Sequence, residues 1–175
     1  MRWLLNVLKA MGLFLALFVG IALLLPARQH VERHRDIMVG AERLWPLIAD
    51  PKRWTAWSPW YAKDPTMRLR YSGAATGTGA EWSWHSRSQG EGRMRFESAE
   101  APRRLDYALT FVEMGTAARG AFRLDPIEGG TRVTWSFDAE LGMNPMLRWI
   151  GLGFDRLIGT DFEAGLGRLA VIAGM

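Results

Sequence analysis

The chain has 175 residues, with 22 basic and 18 acidic side chains, a net charge of +4, nine tryptophans and no cysteine. The lack of cysteine excludes disulfides, thiol nucleophiles and thiolate metal sites. The charge is too evenly balanced for a nucleic-acid partner, which needs a basic patch or stripe, and like charges run no longer than a pair such as Arg103-Arg104.

Residues 3–25 are almost all apolar and end at Pro26. A bilayer core about 30 Å thick needs roughly 20 such residues at about 1.5 Å each. The segment is therefore long enough for a single membrane pass. It divides the chain into an anchor, residues 1–27, and a folded domain, residues 28–175. The one cleavage-like site ends at Ala27 with Leu25 two positions before it, a poor match to the small-residue pattern of a signal peptide. A retained anchor is the expectation, with Lys9 near enough to one end to snorkel to the headgroups. Arg2 and Lys9 flank one side, and Arg28, Arg33 and Arg35 the other. The short basic N-terminal tail points to a domain on the extracytoplasmic side.

His30 to Val39 alternates, with Val31, Ile37 and Val39 on one face, and predicts a strand. Gly40 to Asp50 places Leu44, Leu47 and Ile48 at helical spacing, in a helix kept short or distorted by Pro46. Asp50-Pro51 starts a further turn carrying Trp54 and Trp57, and Ser58-Pro59 ends it. Six strands are predicted next: Met67 to Ser72, Ala80 to Ser86, Gly92 to Ser98, Leu105 to Phe111, Ala118 to Leu124 and Thr131 to Asp138. Each has one apolar and one mostly polar face, as in an antiparallel sheet wet on one side. Pro145 to about Ile172 predicts one long helix with Asn144 as cap and Pro145 in its first turn. Gly151, Gly153, Gly159, Gly165 and Gly167 within it imply either close packing and a kink, or room for a ligand.

Three stretches then carry a resemblance: VERHRDIMVGAERLWPLIADPKRWTAWSPW, GTRVTWSFDAE and DFEAGLGRL. Together they resemble the START-like superfamily, and within it the polyketide cyclase/dehydrase and lipid transport branch, over roughly residues 30–172. The most specific part is residues 37–60, with Leu44-Trp45, Asp50-Pro51, Trp54, Trp57 and Trp60. Val39-Gly40-Ala41 departs from the Ala-Pro-Pro start usual in that branch. The resemblance implies an α+β helix-grip fold, a curved antiparallel sheet wrapped around a long C-terminal helix, here preceded by one transmembrane helix. It also implies a hydrophobic cavity. It does not imply one activity, since the superfamily includes carriers, receptors and cyclases.

The expected ligand-binding residues lie on three elements. Trp57 and Trp60 belong to the short helices. Trp82, Trp84, Phe96, Tyr107, Phe122 and Trp135 belong to the apolar face of the sheet, with Met94 beside them. Phe154 belongs to the long helix. Filling of the space by these aromatics, giving a solid core, is the alternative. His30, Glu32 and His34 share the solvent face of a strand and lack the helical spacing of a zinc site, so no metal is expected. His85 alternates away from Trp82 and Trp84. Asp138, Glu140, Asp161 and Glu163 read as caps and surface charges. Gly73 to Gly79 is glycine-rich but joins strand to strand, whereas a phosphate loop leads into a helix. No cofactor is expected and no catalytic residue is assigned. The expectation is a membrane-tethered module that binds a hydrophobic small molecule or lipid. The alternatives are a cyclase or dehydratase using the same cavity, for which only Tyr107 offers a titratable group, and a ligand-free interaction domain.

Overall fold

Among the described residues seven strands form one sheet, and all but β2 bury an apolar face. They are β1 (Arg28–Ile37), β2 (Arg68–Gly73), β3 (Ala80–Ser86), β4 (Gly90–Glu100), β5 (Arg104–Phe111), β6 (Thr116–Ile127) and β7 (Gly130–Glu140). The computed structural model describes residues 2–112 and 116–175. The strand order is β1-β7-β6-β5-β4-β3-β2, and every neighbouring pair is antiparallel. Strands β2 to β7 form a meander, and β1 joins its far side. The turn between β6 and β7 uses Gly129 at φ +73°, a conformation that costs glycine nothing. Between Phe96 and Ser98 the register of β4 against β5 shifts, and such a bulge bends a strand.

The buried faces are those the alternation predicts. Met94 and Phe96 point inward from β4, Leu105, Tyr107 and Leu109 from β5, and Val133, Trp135 and Phe137 from β7. The strands run a residue or more beyond most of the predicted limits, because paired charges such as Arg28 and Glu140 extend the ladder into solvent.

Between β1 and β2 lie α2 (Ala41–Ala49), a 3-10 turn (Pro51–Arg53), α3 (Trp54–Trp57) and α4 (Pro59–Lys63). Pro46 sits inside α2, which stays at nine residues. The last carbonyls of a helix need outside partners, and two tryptophans supply them. Trp57 Nε1 donates to Leu47 O at 2.9 Å, and Trp54 Nε1 donates to Ile48 O at 2.8 Å. The Gly77 amide serves Ala49 O at 2.9 Å. The paired tryptophans thus fix the end of α2 while their rings enter the core. Ser58-Pro59 ends α3 as expected and also opens α4, with Pro59 in the first turn, where a missing N–H costs no bond.

The predicted single C-terminal helix is two, α5 (Pro145–Gly151) and α6 (Phe154–Gly174). Asn144 caps α5 as expected, its side chain accepting from the amides of Met146 at 3.0 Å and Leu147 at 3.3 Å. The chain breaks at Leu152-Gly153, whose amides turn back to the carbonyls of Trp149 and Ile150. A side chain at Gly151 would meet Leu141 at 2.5 Å, so glycine there lets α5 approach the end of β7.

Helix α6 covers the sheet with Phe162, Leu166 and Leu169, completing a helix grip. Two of its glycines serve close packing. At Gly165 a Cβ would stand 2.8 Å from the Trp135 ring, and at Gly159 the Arg33 guanidinium occupies that space. Arg33 also reaches from β1 to Asp155 at 2.9 Å and to Glu163 at 2.8 Å. Hydrogen bonding to Asp155 raises the Arg33 pKa, and the same bond holds the Asp155 carboxyl below its ordinary value.

Helix α1 (Arg2–Leu24) is exposed along nearly all of its length, with only Ala22 buried. It is long and apolar enough to cross a membrane.

Candidate ligand-binding cavity

A cavity of about 240 Å³ lies between the sheet and the helices α3, α4 and α6. Trp54, Ser58, Trp60 and Tyr61 wall it on the α3–α4 side. Leu69, Trp82 and Trp84 enter from β2 and β3, and Met94, Tyr107, Leu109 and Phe111 from β4 and β5. Phe137, Ile158 and Phe162 complete the lining. The volume falls just short of the roughly 300–1,000 Å³ typical of pockets for drug-sized ligands. It suits a small hydrophobe, or one chain of a larger lipid.

Four of the expected residues, Trp60, Trp82, Trp84 and Tyr107, line this space. Four others, Trp57, Phe96, Phe122 and Trp135, are buried beside it in an aromatic cluster. There Trp135 lies flat on Phe162, with centroids 4.0 Å apart and planes 6° apart, and stacks on Phe122 at 4.8 Å. Trp57 meets Trp135 edge-on at 5.5 Å. Phe154 packs instead against Phe137 at 6.2 Å. Both readings of the aromatic face therefore apply to different parts of it: a filled core under α6, and open space nearer β2 and β3. Sequence reasoning passed over Gln89, a turn residue with no periodic signal, and did not select Ile158 and Phe162 from the α6 stripe.

The lining contains no Asp, Glu, Lys, Arg or His among the described residues. Its titratable groups are the phenols of Tyr61 and Tyr107. The Tyr107 hydroxyl donates to Ser136 O at 2.7 Å and accepts from Trp135 Nε1 at 2.9 Å. Complete burial pushes its pKa far up, so the phenol stays neutral. Its proton is committed to a strand carbonyl, where it can lock β5 to β7 but is not free for a ligand.

The remaining charged candidates lie outside the cavity. His85 is exposed and pairs with Glu91. His30 contacts Asp138 at 2.7 Å on the solvent side of β1. Asp161 binds Lys63 at 2.6 Å, tying α4 to α6. Among the described residues no group of three His, Asp or Glu is arranged to hold a metal ion. Residues 74–79 form the connection between β2 and β3, and the Gly79 amide donates to Phe96 O at 2.8 Å.

A family model described as polyketide cyclase / dehydrase and lipid transport matches residues 28–173. Solved structures share the fold at low identity. The Zhui aromatase/cyclase from Streptomyces is 15% identical, with a TM-score of 0.64, over 84% of this chain and 94% of that one. One is the di-domain aromatase/cyclase StfQ of the steffimycin biosynthetic pathway. It is 10% identical, with a TM-score of 0.67, over 85% of this chain and 51% of that one. Protein CV1439 of Chromobacterium violaceum is 15% identical, with a TM-score of 0.61, over 83% and 96%. No curated protein matches the chain by sequence.

Proposed function

The chain belongs to the polyketide cyclase/dehydrase and lipid transport family, and from that premise we propose that it is a membrane-anchored module that binds a hydrophobic molecule. Helix α1 serves as the single-pass anchor, residues 28–175 form the binding domain, and the ligand lies between β2–β5 and α6. Trp60, Trp82, Trp84 and Tyr107 are its direct contacts, with Trp57, Phe96, Phe122, Trp135 and Phe154 as the wall behind them. Burial of apolar surface drives binding, at about 25 cal/mol per Å². The anchor raises the local concentration of any ligand that itself partitions into the membrane.

The observation that carries this reading is the chemistry of the lining. Ring closure or dehydration needs a positioned acid or base within hydrogen-bond reach of the substrate. Among the described residues the deep wall offers only the Tyr107 phenol, already engaged twice. The aromatase/cyclase likeness is the specific observation that favours catalysis, and Tyr61, at the cavity's edge, is the residue through which an enzyme would act.

The test uses the full chain in lipid nanodiscs, titrated with a polyene fatty acid that quenches tryptophan emission by energy transfer. Four tryptophans line the cavity, so a bound polyene lies beside its donors. Saturable quenching near one polyene per chain, above a linear background from the lipid, is expected. Background alone contradicts the reading.

A further inference from the structure

Helix α5 is built onto the end of α1, and this contact orients the whole domain. Arg148 on α5 is buried, and its guanidinium serves α1. Nη1 donates to the carbonyls of Leu23 at 2.7 Å, Leu25 at 3.2 Å and Ala22 at 3.4 Å, while Nε donates to Gly142 O at 2.8 Å. These α1 carbonyls include those a helix leaves unpaired at its C-terminus, where a cation is also favoured by the helix dipole. The next residue, Trp149, stacks on Phe18 at 5.4 Å and donates to Phe18 O at 3.3 Å.

Contacts from Phe18 to Leu25 place α5 alongside the last turns of α1, a span of about 10 Å at about 1.5 Å per residue. Amphipathic elements at a membrane surface sink by about 5–10 Å. The outward side of α5 suits that depth. Met146 and Ile150 are 57% and 46% exposed, and Met143 and Leu152 beside them are exposed as well. These apolar side chains are continuous with a helix that is itself apolar and exposed.

The cavity mouth lies at the same end of the sheet. Arg28, a few residues past α1, pairs with Glu140 at the end of β7. From there the register runs across the sheet: Ala139 to Ala118, Thr116 to Phe111, Phe111 to Gly92, Gly92 to Trp84 and Trp84 to Leu69. At this end Leu69, Trp84 and Phe111, with Met67 and Gln89 beside them, are half-buried in the cavity wall, as are Thr55, Trp60, Tyr61 and Ile158 on the helices.

We infer that this end of the domain is a docking face for the lipid bilayer. Met143, Met146, Ile150 and Leu152 enter the headgroup layer. Arg148 locks that face to α1, and the cavity mouth is held against the membrane. A hydrophobic ligand then passes between bilayer and cavity with little exposure to water. The inference rests on the reading of α1 as a membrane anchor.

The native chain contains no cysteine, so single probes can be placed without background. Leu13→Cys, Met146→Cys, Ile150→Cys and Glu128→Cys, each carrying a bimane, are compared in the full chain. The chain is reconstituted in phosphatidylethanolamine–phosphatidylglycerol vesicles containing brominated acyl chains, with iodide as the aqueous quencher. Probes at 13, 146 and 150 are expected to be quenched by the brominated lipid, and the probe at 128 by iodide alone. Lipid quenching at 13 with iodide quenching at 146 and 150 overturns the docking face and leaves the anchor standing. Shielding of 146 and 150 from both quenchers, as by a second copy of the chain, overturns it too. Absence of lipid quenching at 13 overturns the anchor itself, and the docking face with it. Arg148→Gln is expected to lower lipid quenching at 150 while position 13 is unchanged.

Discussion

Replacing Trp135 by alanine is expected to destabilise the domain by about 3–5 kcal/mol, the range for a fully buried aromatic. Trp135 is completely buried at the middle of β7. Its ring stacks on both Phe162 and Phe122, while Trp54, Trp57 and Trp60 meet it edge-on. Gly165 is the reason α6 can come so close, since any side chain there would strike the ring. Truncation would leave a cavity that these rigid neighbours cannot collapse to fill. It would also remove the indole donor from the buried Tyr107 oxygen. Trp135→Phe separates the two contributions. It keeps most of the ring contacts and loses the bond, for a cost of about 1 kcal/mol in addition to the smaller ring. Chemical denaturation followed by circular dichroism measures both. A loss under about 1 kcal/mol for the alanine variant would mean that the aromatic cluster does not hold α6 on the sheet.

The second large effect is on binding. Ile158→Trp is expected to abolish saturable polyene quenching in the nanodisc titration. Ile158 is half-buried on α6 and lines the cavity. A tryptophan there would extend into a space of only about 240 Å³. Because it fills an existing void, it should escape most of the roughly 1–3 kcal/mol cost of overpacking a dense core. Thr160→Trp, exposed on the same helix, should bind as the native chain does. Undiminished binding by the Ile158 variant would place the ligand elsewhere.

Elements of the fold and cavity differ in how far they can be read from the sequence. Alternation along β4, β5 and β7 names the inward face, because a strand turns successive side chains to opposite sides. It says nothing of depth. Trp82 and Trp135 carry the same signal, yet Trp135 lies under α6 while Trp82 borders the cavity, because α6 packs on the β1 side of the sheet and not on β3. The break at Leu152-Gly153 is hidden for a similar reason. The apolar spacing from Leu147 to Leu169 continues across it, and only the glycines hint that α5 turns away. Arg148 is the least legible residue. On a helical wheel it is one more surface cation, and three of its carbonyl partners lie more than a hundred residues earlier. Pro46 and the tryptophan pair are intermediate. The proline signals a short helix, but the service of Trp54 and Trp57 to its carbonyls needs the three-dimensional turn at Pro51.

The most direct test of the central claim is native mass spectrometry of the full chain released from mild detergent, followed by solvent extraction and identification of what it carries. A hydrophobic compound present at one copy per chain, and lost in Ile158→Trp, is the predicted result. A bare protein mass, with no uptake after incubation with a lipid extract, would contradict the account and return the cavity to the enzyme reading.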